Sequence, residues 1–157
     1  MTPPATAQGA PAPAPRPRHI LYADDVPQLQ RLLQIALGRD GHTVETVANG
    51  REALERITAT PDGFDLLITD HHMPVMNGLE LVSRARAQSF PGRIIVFSSE
   101  LSQEVADAYR RLQVDHLLPK PIFPQTLRAI LATLWSGETG QEKSRPADRC
   151  GMEKRPG

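Results

Sequence analysis

The chain has 157 residues, with eighteen Lys and Arg against eighteen Asp and Glu and 39% hydrophobic residues. That suits one domain of ordinary size with chain to spare, and the zero formal charge excludes nucleic-acid or anionic-membrane binding driven by bulk charge. No run approaches the eighteen apolar residues of a transmembrane helix, and a lone cysteine, Cys150, excludes an internal disulfide and a Cys-rich zinc site and fits a reducing, cytoplasmic setting.

Residues 1–17 (MTPPATAQGAPAPAPRP) contain six Pro and five Ala. Proline neither continues a helix nor donates to a sheet, and nothing there is large enough to seed a core. The segment reads as a disordered or polyproline-II-like arm. Residues 136–157 have mixed charges and almost no apolar side chains, which predicts a disordered polar tail carrying Cys150. Residues 18–135 are the predicted domain. Its core, from His19 to Trp135, has eleven Lys and Arg against fourteen Asp and Glu, a net of −3. No room remains for a second folded domain.

His19–Ala23 is a short apolar run followed by two acids. Pro27 suits the first position of a helix, where its missing N–H costs little. Leu29, Leu32, Leu33, Ala36 and Leu37 then recur at helical spacing, and Gly38 and Gly41 can end the helix. Thr43–Val47 alternates as a strand. Asn49-Gly50 predicts a turn, and Ala53, Leu54 and Ile57 mark a second helix. Leu66–Thr69 is a buried strand ending at Asp70. Leu79, Val82 and Ala85 give a third helix, and Arg93–Phe97 a fourth strand. Leu101, Val105, Ala108 and Leu112 form a fourth helical stripe. Leu117 and Leu118 lie in a fifth strand, and Leu127, Ile130, Leu131 and Leu134 in a fifth helix. Strict β-α alternation with continuously apolar strands implies an α/β fold, a parallel sheet covered on both faces.

Ligands in such sheets bind at the C-terminal strand ends. Asp24 and Asp25 follow the first strand, Asp70 the third, Ser98 the fourth and Lys120 the fifth. Taken singly, each has a plainer reading. Asp24-Asp25 suits a helix N-cap, Asp70 a turn, and Ser98 alone says nothing. If the sheet places strands one, three, four and five side by side or nearly so, these groups converge on one small pocket. Two unit charges about 4 Å apart repel by roughly 4 kcal/mol at an effective dielectric near 20, so three carboxylates there hold a proton or bind a cation. Hard oxygen donors favour Mg2+, which pairs with phosphate oxygens. A lysine and a hydroxyl would complete a phosphate shell, and the chemistry this suits is attack of a carboxylate on phosphorus. Lysine occurs only at 120, 143 and 154 beside fifteen arginines, so the core uses a compact ammonium once, at Lys120. A cis Lys120–Pro121 bond would aim it across the strand ends. His71-His72 is discounted as a metal pair, because adjacent side chains seldom point together.

The segments ILYADD (20–25), DLLITDHHMPVMNGLEL (65–81), IIVFSS (94–99) and LPKP (118–121) resemble the receiver domain of two-component response regulators. The resemblance covers about residues 18–135 and implies a flavodoxin-like, doubly wound, five-stranded parallel (βα)5 fold. It implies that Asp70 accepts a phosphoryl group from a histidine kinase or phosphotransfer protein. Asp24, Asp25, Asp70 and the backbone carbonyl of His72 would hold Mg2+, Ser98 would hydrogen-bond the phosphoryl group, and Lys120 would pair with it. His72 and Glu100 would influence the lifetime of the phosphorylated state. The output face would be the fourth helix, fifth strand and fifth helix, docking a downstream protein. With no DNA-binding domain after the core, neither direct DNA binding nor a membrane role is expected, nor an enzyme's turnover. One departure is Leu117, where the family often has an aromatic switch residue. The alternatives are a phosphorylation-independent interaction module and a phosphate sink or relay intermediate. A small aspartyl-phosphate hydrolase would carry a second Asp two residues after the nucleophile, where this chain has His72.

Overall fold

A computed structural model of the chain describes residues 16–100 and 102–135. The predicted tail, Cys150, Leu101 and all but the last two residues of the predicted arm lie outside the described residues. The elements are β1 (His19–Ala23), α1 (Pro27–Gly38), β2 (Thr43–Val47), α2 (Gly50–Ala59), β3 (Leu66–Asp70), α3 (Gly78–Ala87), β4 (Arg93–Ser98), α4 (Gln103–Arg111), β5 (His116–Pro119) and α5 (Pro124–Leu134). They divide into two compact units, one through Pro124 and one from Gln125. The second contains nearly all of α5, whose buried residues are Leu127 and Leu131.

In the first unit all five strands are parallel, in the order β2-β1-β3-β4-β5. The strands read as apolar runs because most have two covered faces. Side chains alternate along each strand. Leu21, Ala23, Leu67, Ile94 and Val96 face Ala53 and Ile57 of α2, Leu81, Val82 and Ala85 of α3, and Tyr109 of α4 in one cluster. Their neighbours Ile20, Tyr22, Ile68, Ile95 and Phe97 are buried outside that cluster, as are Leu33 and Leu37 of α1. β2, at the sheet edge, buries only Val47.

Side-chain caps fix where three helices begin. Asn49 accepts from the Glu52 amide, Asn77 from that of Glu80 and Ser102 from that of Val105. Asn49-Gly50 is therefore a helix start rather than the expected turn. Gly50 is glycine for space, since a Cβ there would lie 2.6 Å from the Met76 carbonyl oxygen. Pro27 opens α1, and Gly41 lies beyond its end with φ 92°.

Three helical stripes shift from expectation. Leu32 is 40% exposed, because α1 buries only the narrow stripe of Leu33 and Leu37. In α3 the capped start at Asn77 turns Leu81 fully inward and leaves Leu79 partly buried. In α4 the buried residue is Tyr109, with Val105 and Leu112 only partly covered. At the carboxyl ends of α3 and α4 the Arg86 guanidinium donates to the carbonyls of Leu112 (3.0 Å), Gln113 (2.8 Å) and Phe90 (3.3 Å).

The loop from β3 to α3 carries the one strained β-branched residue among those described, Val75, at φ 71° and 70% exposed. A left-handed conformation suits Asn or Gly and penalises a branched Cβ. Val75→Asn is expected to stabilise the protein by about 1 kcal/mol, read as a higher urea midpoint with an unchanged slope.

Candidate functional site

The register of the sheet assembles the site. Ala23 pairs with Thr69, Asp70 with Phe97, and Ser98 with Pro119. The next residues along the chain then emerge side by side at the C-terminal rim. Backbone bonds continue the ladder there, from the Asp24 amide to the Val47 carbonyl (3.1 Å), from His71 to Phe97 (2.8 Å) and from Lys120 to Ser98 (2.9 Å). The Lys120–Pro121 peptide is cis.

Asp24, Asp25 and Asp70 each place a carboxylate oxygen within 4.8 Å of the other two. Asp24 is fully buried and Asp70 nearly so, while Asp25 is exposed. The Lys120 ammonium lies 3.1 Å from Asp70 Oδ1 and 4.0 Å from Asp24 Oδ2. Asp24 is held from below, accepting from the Tyr22 hydroxyl at 2.6 Å and from the Val26 amide at 2.9 Å. The N-cap position of α1 is Val26, which makes no side-chain cap, so neither acid serves as the helix cap. Burial first, then the bond to Asp24, pushes the Tyr22 phenol far above its ordinary range and keeps it a proton donor. Burial also raises the Asp70 carboxyl above the usual carboxylate value. The Lys120 hydrogen bond and charge pull against this without cancelling it, and Asp24 adds to the rise.

Ser98 is fully buried and engaged locally. Its hydroxyl donates to the Glu100 carbonyl (2.7 Å) and accepts from the Glu100 amide (2.9 Å). His72 Nε2 lies 3.1 Å from Glu100 Oε1. His71 is buried, and its Nδ1 is 2.6 Å from the Tyr109 hydroxyl. That burial lowers the affinity of His71 for a proton. Leu117 on β5 is partly buried against the core cluster.

Tyr109 and Gly78 escape a reading by hydropathy alone. Tyr109 lies in step with Val105 and Leu112 but carries a hydroxyl, so an apolar stripe passes over it. Buried tyrosines need a partner for that hydroxyl, and a polar residue next to a strand-end acid was the available signal. Gly78 follows from space. A Cβ there would lie 2.4 Å from the Asp70 carbonyl oxygen and 2.9 Å from the Tyr109 hydroxyl. The start of α3 is thereby pressed against the backbone of the central acid.

A parallel sheet of this strand order, with its polar residues gathered at the C-terminal rim, defines the flavodoxin-like class of α/β domains. Within that class, a family profile described as the response regulator receiver domain matches residues 20–132, and the chain belongs to that family, the receiver domains of two-component systems. It is 34% identical over 125 residues to the nitrate/nitrite response regulator protein NarL of Escherichia coli (strain K12), a match spanning 78% of this chain and 56% of that protein. Its fold is similar to that of the chemotaxis protein CheY4 of Vibrio cholerae, with a TM-score of 0.67, 33% identity and coverage of 74% of this chain and 97% of that one. It is also similar to the response regulator protein TrrA of Thermotoga maritima, solved in complex with Mg2+ and BeF, with a TM-score of 0.64, 28% identity and coverage of 73% and 96%. Among the described residues no helix is long and apolar enough to cross a membrane.

The raised Asp70 carboxyl has a consequence for stability. Above the ordinary carboxylate value the folded state holds its proton more tightly than the unfolded state. Stability is therefore lost as pH rises through that window. In buffer free of divalent metal, Asp70→Asn is expected to raise the urea midpoint at pH 7. The gain should shrink toward nothing once pH falls below the usual carboxylate range, as denaturation curves at the two pH values would show.

Proposed function

We propose that this domain receives a phosphoryl group on Asp70 from a phosphohistidine of a histidine kinase or phosphotransfer protein, and passes the signal to a protein partner. One observation carries the reading: a nearly buried carboxylate with an ammonium 3.1 Å away and two further acids beside it. The donors are three carboxylates and no thiolate, a hard-oxygen set that fits Mg2+. Asp24, Asp25, Asp70 and the His72 backbone carbonyl would hold the ion. When bound, it would offset the charge of the acids and of the phosphoryl oxygens. TrrA, solved with Mg2+ and BeF, supports the same use of the cleft here.

In the transfer, an Asp70 carboxylate oxygen forms a bond to phosphorus as the bond from phosphorus to the imidazole nitrogen breaks, and the imidazole leaves with the electron pair. Lys120 would pair with the charge that arrives. Ser98 would exchange its two bonds with the Glu100 backbone for one to a phosphoryl oxygen. Such a trade of hydrogen bonds is how an added phosphoryl group shifts a population between two loop arrangements. Leu117 supplies no aromatic ring for coupling. The packing of Tyr109 against His71 offers a different route from the rim to α4.

Incubation with acetyl phosphate and Mg2+, followed by intact mass spectrometry, is expected to add one phosphoryl group to the chain. Asp70→Asn should add none, and Lys120→Met should react roughly a hundredfold more slowly. No Mg2+-dependent modification, or one that survives in Asp70→Asn, would sink the phosphoacceptor reading and favour an interaction module independent of phosphorylation.

A further inference from the structure

A second set of donors meets on the same rim. In an extended strand His71 and His72 would point to opposite faces. β3 ends at Asp70, however, and the two imidazoles lie with ring centroids 4.7 Å apart at an interplanar angle of 68°. Glu100, from the turn after β4, places Oε1 3.1 Å from His72 Nε2. One ligand atom from each of His71, His72 and Glu100 lies within 4.8 Å of the other two. The sequence reading discounts the His pair because adjacent side chains diverge. The chain turn at the strand end removes that objection.

We propose that His71, His72 and Glu100 form a binding site for a borderline divalent transition metal, with Zn2+ the foremost candidate. Two imidazoles and one carboxylate, with water in the remaining positions, are a donor set that suits Zn2+ and not Mg2+. The ring of His71 is already fixed. Nδ1 lies 2.6 Å from the Tyr109 hydroxyl; in the tautomer that donates from Nδ1 to that oxygen, the Nε2 lone pair would be left for a metal, and such a bond on the far nitrogen is what orients a ligating histidine. His72 and Glu100 have side chains 56% and 53% exposed, so an ion reaches the site from solvent. The ligands come from two loops. An ion would tie the loop after β3 to the turn after β4, and Glu100 is the residue whose backbone engages Ser98. Binding itself does not depend on the phosphoacceptor role of Asp70. Its effect on signalling does.

The test titrates the full chain with Zn2+ in excess Mg2+, against a chromophoric chelator, with Co2+ visible spectra in parallel. One Zn2+ per chain is expected. The affinity should fall by about tenfold or more in His72→Ala and in Glu100→Gln, and by about tenfold in Tyr109→Phe, which leaves all three ligands in place. Asp25→Asn should bind Zn2+ as the unaltered protein does. The Co2+ bands should disappear in His72→Ala. Because His72 and Glu100 are exposed, their circular dichroism should stay unchanged. Equal affinity in His72→Ala, a loss confined to Asp25→Asn, or no binding in excess Mg2+ would each overturn the proposal. The phosphoryl-transfer assay, run with Mg2+ and no Zn2+, stands or falls separately.

Discussion

Three carboxylates converge at the rim of the sheet, and one ammonium faces them. Two of the acids are buried, so water screens little of their repulsion, and at about 4 Å each like-charged pair costs on the order of 4 kcal/mol at an effective dielectric near 20. Lys120 lies close to both buried acids and offsets part of this. Burial first, and the Asp24 charge after it, leave the Asp70 carboxyl with a raised proton affinity, while hydrogen bonds from Tyr22 and Val26 fix Asp24. The cleft is thus short of positive charge by construction. A metal ion bound there would meet acids already gathered at one rim. The surrounding packing keeps those acids from relaxing apart.

That packing reaches the site through the backbone register and through the hydroxyls of Tyr22 and Tyr109. The register between β1, β3, β4 and β5 sets how far each strand end projects. Gly78 lets α3 start against the carbonyl of Asp70, and its amide donates to the His71 carbonyl at 2.9 Å. Tyr109 closes the same spot from α4. Asp70 thus has α3 at contact distance, and the next residue, His71, has the Tyr109 hydroxyl of α4. A rearrangement there would spread outward, because closely packed groups cannot yield singly.

The strands and the acid–lysine set were legible in the sequence because both depend on local order. An apolar run bounded by turn residues marks a buried strand. Residues that follow successive parallel strands must share an edge, which is why Asp24, Asp25, Asp70, Ser98 and Lys120 could be grouped before any coordinates. What stayed hidden depends on rotation and on partners. Leu81 rather than Leu79 faces inward because the Asn77 cap sets the phase of α3. Leu32 is exposed because hydropathy does not show how wide a stripe the sheet covers. Tyr109 is buried because its hydroxyl finds His71, a contact 38 positions away in the chain. The approach of His71 to His72 arises where the strand stops, and alternation misleads there.

Arg86 bears on how α4 can respond. Its guanidinium binds carbonyls at the carboxyl ends of both α3 and α4, a favourable place for a cation. In a β-α repeat with parallel strands each helix returns toward the opposite edge of the sheet, so this anchor lies away from the acidic rim. The amino end of α4, capped by Ser102, comes two residues after Glu100 in the chain. A helix pinned at its carboxyl end can pivot there. A small displacement beside Asp70 would swing the front of α4 through an arc, with the guanidinium as its fulcrum.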